Sequence, residues 1–125
     1  MPHTILVVED DHLNMKLMRS ILALGHYQIL EASEAETGLE LAARHHPDLI
    51  LMDVVMPGQN GFQTTRQLSR DPVTQHIPII IVTTKDQETD RVWAKRQGAS
   101  DYLVKPVKEE ELLALIDSLL KARVS

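Results

Sequence analysis

A chain of 125 residues with 43% hydrophobic content suits one domain on one core, and with 3% aromatics that core must be built from Leu, Ile, Val, Met and Ala. The absence of cysteine excludes disulfides and thiol chemistry and is compatible with a reducing cytoplasm. A formal charge of −5 disfavours nucleic acid as a partner, which needs clustered Lys and Arg, and the apolar runs are far too short to span a bilayer.

The N-terminus, Met1-Pro2-His3-Thr4, enters an apolar run with no basic flank or cleavage site, so no signal peptide is expected. Thr4–Val8 reads as a buried strand. Residues 12–25 read as a helix with Leu17, Met18, Ile21 and Leu22 on its stripe and Gly25 as its stop. A second strand is expected over 27–31. Ala35, Leu39 and Ala42 stripe the next helix, which ends before Pro47. Residues 48–52 read as a strand, Asp48 opening the continuous apolar run LILM that a central parallel strand requires. Pro57-Gly58 and Asn60-Gly61 mark a tight loop, and a helix over 62–70 follows. A fourth strand over 78–82 leads to a helix over 87–97, closed by Gly98, in which Val92 is the core candidate. Asp101–Val104 is a short fifth strand. The last helix, 109–122, carries Leu112, Leu113, Ile116, Leu119 and Leu120 on its apolar side. Its opening acids and its closing Lys121 and Arg123 complement the helix dipole.

Five alternating βα units imply a parallel sheet with helices on both faces. No linker, repeat or low-complexity tract interrupts them, and a single domain with no output domain is expected. In such a sheet the carboxyl ends of the strands share one edge, where ligands bind. Glu9-Asp10 closes ILVV, Asp53 closes LILM, Thr83 closes IPIIIV and Lys105 closes YLV. Glu9 and Asp53 are separated by 44 residues, Asp53 and Thr83 by 30, and Thr83 and Lys105 by 22, about two units and then one each. Three acids, one hydroxyl and one amine therefore converge. Taken singly, each has a plainer reading: a turn or cap residue for Asp53, a helix cap for Glu9-Asp10-Asp11, a solvated surface lysine for Lys105. Asp11 is the expected cap of the first helix, or is simply solvated. Their joint occurrence favours a site that holds a divalent cation beside a nucleophilic carboxylate.

Glu9-Asp10 after ILVV, Asp53 in LILMDVVMPG, Thr83 in IIIVTT and Lys105-Pro106 in GASDYLVKP resemble the receiver domains of two-component response regulators. The resemblance runs from about Thr4 to Leu120. It implies a doubly wound, flavodoxin-like (βα)5 sandwich with strand order 2-1-3-4-5. It also implies Asp53 as phosphoryl acceptor, with Glu9, Asp10, Asp53 and the backbone carbonyl of Val55 as ligands of Mg²⁺. Lys105, with a cis peptide bond to Pro106, and Thr83 would each meet a phosphoryl oxygen. Thr83 and Tyr102 match the family's switch pair, and the output surface would be the fourth helix, fifth strand and fifth helix, with Trp93, Arg91, Lys95 and Tyr102 as contacts. Trp93 has a second reading, packed against a neighbouring helix, which the sequence leaves open.

The resemblance further implies a bacterial, cytoplasmic signalling protein. Its phosphoryl donor would be a sensor histidine kinase or phosphotransfer protein, and its readout a downstream effector protein. No nucleic acid or membrane is involved, and the chain would be a monomer or a weak phosphorylation-dependent dimer. It would be no enzyme beyond catalysing its own phosphorylation and slow dephosphorylation. The latter rests on Val55 and Lys85, which match the positions flanking the hydrolytic water; Val55 cannot hydrogen-bond a water through its side chain. From about Val54 to Leu120 the sequence resembles the single-domain regulators of chemosensory systems controlling type IV pili and twitching motility. VVEDDHLNMKLM resembles the polar cell-cycle regulators instead.

Two rival classes remain to be weighed. A Mg²⁺-dependent phosphohydrolase with an aspartyl-phosphate intermediate needs a second Asp two residues after its nucleophile to protonate the leaving group, and here that residue is Val55. An FMN binder needs aromatic loop residues to sandwich the flavin, which these loops lack. His3, His12, His26, His45, His46 and His76 are scattered, and the adjacent His45-His46 cannot both face one metal from a helix, so no histidine metal site is expected.

Overall fold

The computed structural model describes residues 2–56 and 60–124; the expected Pro57-Gly58 turn and the Arg123 side chain lie outside the described residues. The elements are β1 (Thr4–Val8), α1 (His12–Leu24), β2 (Gln28–Ala32), α2 (Ala35–His45), β3 (Leu49–Met52), α3 (Gly61–Arg70), β4 (Ile79–Thr83), α4 (Glu88–Arg96), β5 (Asp101–Val104) and α5 (Glu109–Val124). The five strands form one parallel sheet in the order β2-β1-β3-β4-β5. Both the alternation and the strand order expected from the sequence hold. Strand limits differ by a residue because the ladder, not hydropathy, sets them: Gln28 pairs with Thr4, and Ile50 pairs with Ile79.

The apolar runs supply two cores because side chains alternate across a strand. Ile5, Val7, Leu49, Leu51, Ile80, Val82 and Leu103 face α1 and α5, meeting Met15, Met18, Ile21, Leu22, Leu112, Ile116 and Leu120. Leu6, Val8, Ile50, Met52, Ile79, Ile81 and Tyr102 face α2, α3 and α4, meeting Ala42, Leu68 and Ala94. This double burial explains why the strands read as unbroken apolar runs.

Two core assignments are corrected. In α1, Leu17 is 44% exposed and joins Leu13 and Leu24 on the outer side, while Met15 takes an inward place. In α4, Val92 is 44% exposed, and the inward position is Ala94, followed by the buried C-cap Gln97. A nine-residue helix that approaches the sheet through one alanine has no apolar stripe to read. α3 is similar: its buried face is Gly61, Thr64, Thr65 and Leu68, and the Thr64 and Thr65 hydroxyls donate back to the Asn60 and Gly61 carbonyls. Asp11 caps α1 as expected, accepting from the Asn14 N–H at 2.8 Å. Asn60 caps α3 through the Gln63 N–H at 3.0 Å.

Candidate active site

Strand order reverses between β1 and β3, and this is where a doubly wound sheet opens a crevice at its carboxyl edge. The ladder carries each chain just past its strand into that crevice. Glu9 N–H donates to the Ala32 carbonyl, Asp53 N–H to Val8, and Lys105 N–H to Thr83. The Glu9, Asp10 and Asp53 carboxylates each bring an oxygen within 4.8 Å of the others. Lys105 Nζ lies among them, donating to Glu9 Oε1 and, at 2.9 Å, to Asp53 Oδ2. The Lys105 side chain is 9% exposed, Glu9 and Asp53 are buried, and Asp10 is half-buried at the rim. The Lys105-Pro106 bond is cis, as the resemblance implied.

The remaining oxygens are aimed by the backbone. Asp53 Oδ1 accepts from the Val55 N–H at 2.9 Å, and Glu9 Oε2 accepts from the Asp11 N–H at 3.1 Å. Burial pushes the Glu9 pKa above its ordinary value, and the Asp53 charge adds to this against the opposing Lys105 and Asp11 hydrogen bonds. For Lys105, burial acts to lower the pKa, but hydrogen bonds and charge from Glu9 and Asp53 outweigh it, so the ammonium is held protonated. Three carboxylates against one ammonium leave a formal charge of −2 in a cluster whose donors are all oxygen. That is the charge and the ligand chemistry of a hard divalent cation.

Thr83 is fully buried at the end of β4. Lys85 links it to Tyr102 through the backbone: the Lys85 N–H donates to Thr83 Oγ1 over a long 3.5 Å, and its carbonyl accepts from the Tyr102 hydroxyl at 2.8 Å. The two residues that the sequence proposed as a switch pair are therefore joined by one loop residue. Tyr102 is 3% exposed, which corrects its expected place among surface contacts: the ring packs inward beneath α4, with the Arg91 guanidinium carbon 5.1 Å from its centroid. Trp93 at 48% and Lys95 are exposed, so of the two readings for Trp93 the open surface holds. Val55 is 49% exposed beside the acceptor. The six histidines form no cluster that could hold a metal among the described residues.

Burial, with the nearby Asp90 charge, pushes the Tyr102 phenol from 10.0 up to about 12 against the opposing Arg91 charge. The folded state keeps this proton while the unfolded chain loses it near pH 10, so stability contributed by neutral Tyr102 is complete below that pH and lost as pH rises towards 12. Absorbance titration is expected to show a phenol ionising at about 12 that is lost in Tyr102→Phe, leaving Tyr27, whose pKa burial and the Asp117 charge also raise. Ionisation of both tyrosines at the ordinary value would contradict this packing.

Residues 5–117 match the family described as response regulator receiver domain. The chain belongs to this family. Receiver domains take phosphoryl groups from histidine kinases or phosphotransfer proteins and bind effectors. The receiver is 54% identical over 116 residues to the PilH protein of Pseudomonas aeruginosa, spanning 93% of this chain and 96% of that one. It is 35% identical over 120 residues to the polar-differentiation response regulator DivK of Brucella ovis, spanning 96% and 98%. Among solved structures, it superposes with a TM-score of 0.89 on the receiver domain of the sensor histidine kinase PA1611 of P. aeruginosa. That match has 28% identity and covers 97% of this receiver and 99% of the other, which holds a magnesium ion in its active-site cleft. No helix of the described residues is long and apolar enough to cross a membrane.

What sequence reasoning missed in this receiver is Gly61, read only as part of a turn. The single available signal was a glycine opening a helix just after the acceptor loop.

Proposed function

We propose that this chain is a cytoplasmic response regulator that accepts a phosphoryl group on Asp53 and signals through phosphorylation-dependent protein binding. The observation that carries this reading is Lys105 Nζ held between Glu9 and Asp53 beside Asp10. An Asp53 oxygen attacks phosphorus on the donor, the bond from phosphorus to the donor's nitrogen or acyl oxygen breaks, and the leaving group departs with that electron pair. Glu9, Asp10, Asp53 and the Val55 carbonyl would hold Mg²⁺, which would offset carboxylate repulsion and orient phosphoryl oxygens. The Lys105 ammonium, already within 2.9 Å of Asp53, moves to a phosphoryl oxygen as a point charge. The Thr83 hydroxyl meets another.

Thr83 and Tyr102 relay the change through the Lys85 backbone to the surface of α4, β5 and α5, where Arg91, Trp93 and Lys95 meet an effector protein. The 54% identity to PilH favours a pilus chemosensory pathway over a polar cell-cycle one. Wild type incubated with acetyl phosphate and Mg²⁺ is expected to gain the mass of one phosphoryl group and to gain none in EDTA. No gain in Mg²⁺ would reject the reading.

The exposed apolar Val55 side chain offers a hydrolytic water no hydrogen bond. The phosphorylated form is therefore expected to persist for minutes or longer. Val55→Asn is expected to speed decay roughly tenfold, below the full benefit of a general base. Loss of the wild-type phosphoryl group within seconds, followed by intact mass, would contradict this.

A further inference from the structure

Gly61 opens α3 directly beneath the turn that carries Asp53. Its N–H donates to the Val54 carbonyl at 3.3 Å. A Cβ at this position would overlap the Asp53 carbonyl oxygen and lie 2.6 Å from Val54 Cα. Both neighbours are backbone, so no flexible side chain can swing aside. Gly98 is the glycine with positive φ among the described residues, so the demand at Gly61 is for space and not for a left-handed backbone. Alanine would otherwise favour the helix.

We propose that Gly61 is a positioning residue for the acceptor turn, an inference that rests on the reading of Asp53 as phosphoacceptor and of residues 53–55 as metal-binding. The two sides of the contact are held unequally. Behind Gly61, α3 is seated by fully buried Thr64 and Thr65, by nearly buried Leu68, and by the 2.7 Å bond from the Thr65 hydroxyl to the Gly61 carbonyl. Ser69 adds a 2.7 Å bond to the Gln97 carbonyl at the far end of the helix. In front, the chain leaves β3 at Met52, carries Asp53 into the crevice and becomes exposed at Val55. The turn is the part that yields. An added methyl group pushes it towards the crevice, away from the geometry in which Asp53 meets both Lys105 Nζ and the Val55 N–H.

The test compares Gly61→Ala with Gly98→Ala. Gly98 has φ +105° and a Cβ there would strike Ser69, so this variant is also strained, but at the opposite, amino edge of the sheet before β5. Two readouts on the full chain are used: the phosphorylation rate at saturating acetyl phosphate, and Mn²⁺ affinity from the free-ion resonance signal. Gly61→Ala is expected to lower the rate about 100-fold, the effect of a displacement near 1 Å, and to weaken Mn²⁺ binding. Gly98→Ala is expected to lower the melting temperature while leaving both readouts within about twofold.

Wild-type values in Gly61→Ala, or equal losses in Gly98→Ala, overturn the proposal. If Gly61→Ala does not fold, Thr65→Val loosens the Gly61 carbonyl without adding an atom beneath Asp53; a milder loss in both readouts supports the role, and no change overturns it. Mn²⁺ binding weakened in Gly61→Ala while wild type takes no phosphate rejects the phosphoacceptor reading and leaves the positioning role intact.

Discussion

Asp53→Asn is expected to abolish phosphoryl uptake while leaving the protein folded. The amide nitrogen and oxygen of asparagine are poor nucleophiles, so the attacking group is gone. The surroundings tolerate the exchange: the Asn oxygen can still accept from the Val55 N–H, and Lys105 keeps Glu9. Losing one of three mutually repelling carboxylates also relieves the cluster, so stability is expected to stay within about 1 kcal/mol of wild type. Intact mass after acetyl phosphate treatment reads uptake, and urea unfolding reads stability. A phosphoryl group still gained by folded Asp53→Asn would move the acceptor elsewhere in the cluster and end the assignment.

Lys105→Ala is expected to give the largest loss of stability among single changes in the site. The ammonium is the cation that answers buried Glu9 and Asp53, and removing one member of a buried, hydrogen-bonded set leaves the others uncompensated. Such losses run about 3 kcal/mol. The actual figure is held down because Glu9, already raised by burial, can take up a proton. The cluster that remains has three carboxylates and no competing ammonium. Divalent cation is therefore expected to restore much of the lost stability, rising with the logarithm of concentration once above the dissociation constant. Unfolding in EDTA and across a Mg²⁺ series measures this. A variant equally unstable at every Mg²⁺ concentration would show that the carboxylates do not form a cation site. Phosphoryl uptake should remain impaired even when stability is restored, because the point charge is gone.

These expectations were legible to different degrees along the chain. The strand ends were clear because buried parallel strands are apolar along their length, so the first polar residue that closes each marks the sheet edge. β1, β3, β4 and β5 deliver Glu9, Asp53, Thr83 and Lys105 on that rule, and Lys105 with Glu9 and Asp53 meets at hydrogen-bond distance. The helices with small or hydroxylated buried faces were opaque. α4 shows Val92 outward because it approaches through Ala94, and α3 hides Thr64 and Thr65 whose hydroxyls are satisfied within the helix. Tyr102 was placed among the surface contacts by the resemblance alone, since a polar aromatic in a four-residue edge strand carries no sign of which face it takes.

The sequence by itself determined the alternation of elements, the convergence of acids with an amine on one edge, and the family. Periodicity and the identity of the first residue past each strand are local properties, and local properties survive in a string of letters. Tertiary structure alone decided that Lys105 bridges Glu9 and Asp53, that Tyr102 turns inward to the Lys85 carbonyl, and that Gly61 lies against the Asp53 backbone. Each of those depends on a distance between segments far apart in the chain, which packing of rigid elements sets and hydropathy does not encode.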